Sequence, residues 1–274
     1  MRNKRKFLIV FGTRPEAIKL IPLIRQLKKS EDVKLYLCSS GQHREMLDGV
    51  LEEYGIAPDF DLALMKDGQS LSSLCSAMIG ALEGVIKELC PELVIVHGDT
   101  TTSLCGALAA FYCGVAVAHV EAGLRSGDIR SPFPEEFNRR TISSITSVHF
   151  APTEAARQNL LSEGVAKDSI FVVGNTATDM LADTKTQSRR SRFPCRRAAL
   201  RSSRFTAEST ARASFWAFYR LFASFRQRSD SFCRCTKVRV SESRSKPHFR
   251  AVSLSLYASR LRFASFIFLC ANAI

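Results

Sequence analysis

The chain has 274 residues, of which 46% are hydrophobic and 24% charged, with 39 Lys+Arg against 26 Asp+Glu and a formal net charge of +13. No apolar stretch approaches the ~18 residues needed to span a bilayer, and nine scattered cysteines without a CxxC pair give neither a disulfide framework nor a zinc site. Residues 1–185 sum to −3 and residues 186–274 to +16, so the basic balance belongs to the tail alone.

The start, Met1–Lys6 followed by Phe7–Phe11, superficially resembles a signal peptide. Its apolar run is too short, and Gly-Thr-Arg-Pro-Glu stands where a cleavage site belongs, so a buried first strand is expected. From there strands and helices alternate. Phe7–Phe11 leads into a helix over 15–29, striped by Ile18, Ile21, Leu23, Ile24 and Leu27. A strand at 33–38 leads through Ser39–Gln42 into a helix over 43–54. Residues 71–89 form a long amphipathic helix stopped by Pro91. A strand at 93–97 precedes an Ala- and Leu-rich helix over 100–113. A strand at 115–119 leads through 121–133 into a helix near 135–147, and a strand at 148–151 into a helix over 153–162. A last strand at 170–173 ends at Gly174-Asn175, and a helix begins near Thr176. This rhythm predicts βαβ units and a largely parallel sheet buried on both faces. The fold class is a doubly wound, Rossmann-like α/β domain over 1–185.

The pattern dissolves near residue 187. All 14 glycines precede residue 175, although a hundred residues ordinarily carry about seven. Residues 186–274 hold 11 of the 19 Phe and 17 Arg, with one Asp. Folded domains need the turns that glycine permits, and disordered tails are poor in aromatics. This segment suits neither class and reads as translation in a shifted frame, never selected to fold. The sharper alternative is an aromatic, Arg-rich nucleic-acid arm, but no recognisable binding motif accompanies the charge.

In open parallel sheets, ligands bind outside the carboxyl ends of the strands, where the notable residues of this chain fall. Gly12-Thr13-Arg14-Pro15-Glu16, with Lys19 one turn on, follows the first strand. A helix N-terminus with Arg14 and Lys19 favours an anionic group. It is not the GxGxxG fingerprint, so no dinucleotide cofactor is expected, and no metal either. Asp99 follows the strand at 93–97 and is a candidate cap for the next helix. Glu121 follows the strand at 115–119, with Arg125 as a candidate ion-pair partner. Glu135 lies in the Pro-rich turn Ser131–Glu136, ahead of Asn138-Arg139. Three carboxylates, Asp99, Glu121 and Glu135, converging near one edge of the sheet with Arg14 and Lys19 suit acid–base work on a phosphate-bearing substrate. His97, His119 and His149 read as core histidines.

Six stretches in order carry a resemblance: Phe11–Lys19, Gln42-His43-Arg44-Glu45-Met46-Leu47, Val96–Thr102, His119–Arg125, Ser131–Arg139 and Val173–Thr176. The chain closely resembles the bacterial non-hydrolysing UDP-N-acetylglucosamine 2-epimerases from residue 6 to about 185, roughly half of a family chain. Phe133 replaces a tryptophan expected in the Pro-x-Pro-Glu-Glu motif. The resemblance implies the N-terminal lobe of a GT-B fold, a cytoplasmic homodimer, and interconversion of UDP-GlcNAc and UDP-ManNAc through elimination and re-addition of UDP without a cofactor. It implies Arg14, Lys19, Asp99 and Glu121 at the substrate, and Asp99, Glu121 and Glu135 as acid–base groups. Gln42 and His43 resemble the region that can hold a second UDP-GlcNAc as activator. The motifs favour the non-hydrolysing branch over the hydrolysing one that releases ManNAc. The family's Gly-His-Arg-Arg-Glu and Ser-Gly-Gly-x-x-Glu motifs are absent, so a second lobe is expected to be missing and turnover by this chain low or nil. The alternative is a non-catalytic remnant.

Overall fold

Five consecutive apolar residues, Phe7–Phe11, require cover on both faces, and all five are fully buried. They lie in β1 (Arg5–Phe11), paired on one side with β2 (Val33–Ser39) and on the other with β4 (Leu93–His97). The computed structural model describes residues 4–41, 44–66 and 68–180. The expected boundary at 185, the tail 186–274, and Gln42 and His43 lie outside the described residues.

The remaining strands are β3 (Phe60–Asp61), β5 (Ala116–Val120), β6 (Val148–Ala151) and β7 (Ile170–Val172). All seven pair in parallel in the order β3-β2-β1-β4-β5-β6-β7. The chain winds outward from β1 to β3, then returns to β4 and proceeds the other way, so the direction reverses between β1 and β4. That reversal opens a crevice at the carboxyl ends of these two strands. The doubly wound α/β fold expected from the alternation is therefore the fold observed.

The helices are α1 (Arg14–Lys29), α2 (Arg44–Glu53), α3 (Leu71–Leu89), α4 (Thr101–Tyr112), α5 (Glu135–Ile145) and α6 (Glu154–Ser162); residues 176–180 are helical as well. Hydroxyl caps start three of them: Ser70, Thr100 and Thr153 accept from the backbone N–H of Ser73, Ser103 and Ala156. α3 stops where Cys90 turns into the left-handed region (φ 49°) just before Pro91. The short β3 was not expected. Two residues show no periodicity, and only their pairing with Cys38 and Ser39 makes them a strand.

The core lies on one face between the sheet and α3 and α4, where Leu8, Val10, Val94 and Val96 meet Met78, Leu82 and Ala107. Each such large side chain contributes roughly 1.5–3 kcal/mol by leaving water. Gly106 lets α4 sit close, since a Cβ there would lie 3.1 Å from Val96 Cγ1. No described helix is long and apolar enough to cross a membrane.

Candidate active site

The turns that leave β1 and β4 meet at the reversal point, and Glu121 reaches it from the end of β5. Gly12 lies beneath a hydrogen bond between the Ser40 and Thr102 hydroxyls (2.9 Å). A Cβ on Gly12 would fall 2.1 Å from Ser40 Oγ and 2.5 Å from Thr102 Oγ1. Glycine is needed here for space between the ends of β2 and α4, not only for a tight turn.

The N-terminus of α1 is already occupied. Glu16, 3% exposed, accepts from the backbone N–H groups of Gly12 (2.9 Å) and Thr13 (2.7 Å) and from the Thr13 hydroxyl. Its other oxygen accepts from the hydroxyls of Thr100 and Ser103 (3.0 Å for Ser103). One carboxylate thus ties the β1–α1 turn to the β4–α4 turn. Sequence reading missed this role, although Thr13-x-x-Glu16 is the spacing of a capping box. The free helix end expected to favour an external anion is largely satisfied by this internal one.

Glu121 and Lys19 form the central ion pair, with Nζ 2.8 Å from both carboxylate oxygens. Glu121 follows β5 directly and is held at φ 65°, a left-handed conformation that costs a non-glycine residue about 1–3 kcal/mol. Such strain persists where surrounding contacts over-determine it. The expected pairing with Arg125 does not occur. Arg125 lies against Glu163, the C-cap of α6 (2.7 Å from each oxygen), and Ser143 (2.9 Å), where it braces the β5–α5 loop. Arginine's planar fork reaches a carboxylate presented edge-on, and Glu163 supplies it.

Asp99 does not cap α4; Thr100 takes that place. The Asp99 carboxylate instead accepts from Arg139 Nη1 (2.8 Å), and its carbonyl from Asn138 Nδ2 (2.8 Å), so the first turns of α5 clasp the end of β4. Burial raises the Asp99 carboxyl above its ordinary value against the opposing pull of Arg139, and the nearby carboxylates of Glu135, Glu121 and Glu16 raise it further. Asp99 thus lies within electrostatic reach of both Glu121 and Glu135. Glu136, next to Glu135, is fully buried and structural: it bonds Arg139, Arg140 and the Ser126 N–H. Burial works against its ionisation, but the Ser126 bond and the two arginines outweigh it and hold the carboxyl below the usual range.

Arg14 is exposed and lines an open groove with Ile18, Val50, Tyr54 and Ala177. Among the described residues it makes no ion pair, so of the two expected cations only Lys19 is tied to a carboxylate. The three histidines are buried, as expected: His97 at 3%, His119 at 0% and His149 at 1% exposure. His119 Nε2 contacts the Gly98 carbonyl (2.6 Å) and His149 Nε2 that of Ser143 (3.1 Å). Burial, with the Lys19 charge adding to it, pushes His97 down to about 3, and burial does the same to His119. All three rings stay neutral near pH 7. Among the described residues no group of His, Cys, Asp and Glu is arranged to hold a metal ion.

A parallel sheet that reverses direction, with Asp99, Glu121 and Lys19 gathered beyond its strand ends, defines a doubly wound, Rossmann-like α/β domain with a charged crevice. The chain belongs to the UDP-N-acetylglucosamine 2-epimerase family, whose model matches residues 25–211. It is 52% identical over 182 residues to the UDP-N-acetylglucosamine 2-epimerase of Bacillus subtilis, covering 66% of this chain and 48% of that one. It is 51% identical over 176 residues to the Escherichia coli K12 protein of the same name, with 64% and 47% covered. Among solved structures, a UDP-GlcNAc 2-epimerase from Neisseria meningitidis bound to UDP-GlcNAc matches with TM-score 0.66 and 47% identity, over 67% of this chain and 50% of that one. The chain spans about half the length of the curated relatives it matches.

Proposed function

We propose that this chain carries the acid–base half of a non-hydrolysing UDP-GlcNAc 2-epimerase, and that UDP-GlcNAc and UDP-ManNAc are its ligands. One observation carries the reading: Lys19 is held against Glu121 at the reversal point, and Asp99 there feels the charges of Glu121 and Glu135. In the reaction one carboxylate takes the C2 proton, the C2–H electrons form the C1=C2 bond, and the C1–O electron pair leaves with UDP. Reversing these steps from the opposite face of C2 inverts that centre. Burial and the acidic neighbours raise the Asp99 carboxyl against the pull of Arg139, the direction that favours a group that must both take and give a proton. Lys19 and the exposed Arg14 supply positive charge for the departing diphosphate. Gln42 and His43 are proposed as the activator contact, and two copies of the chain are proposed to pair, in the cytoplasm.

The domain boundary is proposed at residue 185, with 186–274 outside the native fold. The chain spans about half the length of its relatives, so a site completed by a second lobe, weak binding and little or no turnover are proposed for this chain. The test is incubation with UDP-GlcNAc in deuterated water, followed by NMR. Line broadening of the ligand with negligible C2 deuteration and negligible UDP-ManNAc is expected. Turnover matching the full-length Escherichia coli relative would overturn the inactivity. An absence of ligand binding at millimolar concentration would overturn the substrate assignment.

A further inference from the structure

His97 ends β4 and is buried, yet neither of its ring nitrogens has a hydrogen-bond partner. His119 and His149 each place one nitrogen on a carbonyl; His97 places none. Its Nε2 stops 3.5 Å from Glu121 Oε2, just beyond the 2.7–3.2 Å at which an N–H···O bond forms. Buried donors are ordinarily satisfied, so an orphaned ring aimed at a site carboxylate requires an explanation.

Lys19 supplies one. It now donates to both oxygens of Glu121 at 2.8 Å. The function proposed above also assigns Lys19 to the substrate's anionic group, and an ammonium with three donors, two of them on Glu121, loosens that grip as it turns toward a diphosphate. Glu121, whose side chain is only 13% exposed, would then lose part of its pairing. Among the described residues His97 and Asn175 stand next in line, each at 3.5 Å, and His97 is the buried one.

We infer that His97 is a positioning residue, which donates from Nε2–H in its neutral form to Glu121 and holds that carboxylate once Lys19 engages substrate. A displacement of about half an ångström closes the bond. The exchange has a chemical consequence. A neutral donor orients the carboxylate without offsetting its negative charge as the ammonium does. The charged and titratable groups facing His97 are Lys19 from α1, Glu121 after β5 and His119 on β5; burial and the lysine keep the ring from protonating.

Long-range proton–nitrogen correlation spectra of the full chain, labelled with 15N-histidine, test this. Single substitutions His97→Gln and Lys19→Gln assign the ring. The expected result is a proton on Nε2, with no titration between about pH 8 and 5, the range in which an ordinary histidine changes charge. In Lys19→Gln the Nε2–H signal moves downfield, because the carboxylate has lost its cation and closes on His97. Saturating UDP-GlcNAc produces the same movement. A proton on Nδ1, a ring that charges above about pH 5, or an Nε2–H signal unmoved by Lys19→Gln overturns the inference. The inference rests on the proposed function only for the substrate arm. If UDP-GlcNAc moves no signal at all, that function fails, while the tautomer and the Lys19→Gln shift still decide the role of His97.

Discussion

Lys19 and Glu121 are 102 residues apart in sequence, yet Lys19 Nζ lies 2.8 Å from both oxygens of the Glu121 carboxylate. The pair fastens the first turns of α1 to the residue that leaves β5, across the point where the sheet reverses direction. Side-chain exposures of 28% and 13% place it between a surface pair and a buried one.

Removing one partner should therefore cost less than breaking a fully buried pair and more than breaking a surface one. Lys19→Met and Glu121→Gln are each expected to destabilise the domain by about 1–3 kcal/mol. The double variant should lose less than the sum, because neither leaves the other uncompensated. Urea denaturation of the four proteins reads the coupling; strict additivity would show that the contact contributes nothing.

Gly12→Ala places a methyl group on the hydroxyls of Ser40 and Thr102. Overpacking of this kind costs roughly 1–3 kcal/mol. Adding Ser40→Ala removes the nearer oxygen and should recover part of the loss. If Gly12→Ala melts at the parental temperature, the ends of β2 and α4 are looser than the distances state.

Glu16 accepts from two backbone amides and three hydroxyls, and Gln at this position keeps the shape but offers one oxygen where the carboxylate offered two. Leaving buried donors unpaired costs about 1–3 kcal/mol each, more where the acceptor was charged. A loss of about 2–4 kcal/mol is expected for Glu16→Gln, together with faster hydrogen exchange at Gly12 and Thr13. Protection unchanged at those amides would count against the bracing role.

The buried histidines set an acid limit. His97 and His119 are pushed down to about 3 in the fold, whereas the unfolded chain takes up protons near 6.5. Below that value the unfolded state binds more protons, so stability falls as pH drops, by about 1.4 kcal/mol per pH unit for each ring. Glu136, held below its ordinary range, adds to the loss at lower pH still; Asp99, raised above its range, works in the opposite direction. Urea midpoints between about pH 7 and 5 should slope downward with acid. A flat profile would mean that the rings are not buried and neutral.

The strands and helices were legible because their signals are local. Phe7–Phe11 and Leu93–His97 are continuous apolar runs, and the stripe through Ile18, Ile21 and Leu27 repeats at the helical period. β3 was not legible, since two residues carry no pattern. Asp99 looked like the cap of α4, but Thr100 takes the role, because the hydroxyl one position later meets the Ser103 N–H. Arg125 stood four residues from Glu121 and looked like its partner. The left-handed turn at Glu121 directs that carboxylate to Lys19, and Arg125 goes to Glu163.

By itself the sequence determined the α/β alternation, the order of the elements and the placing of Asp99 and Glu121 at strand ends with Lys19 in the first turns of the helix after β1. All three follow from periodicity and from the rule that parallel strands present their carboxyl ends together. Only the tertiary structure decided which cation meets which carboxylate, that Glu16 closes the end of α1, and that His97 faces Glu121 with no bond of its own. Ion pairs and hydrogen bonds are settled over tenths of an ångström between residues up to a hundred positions apart, and at that range spacing along the chain carries no distance information.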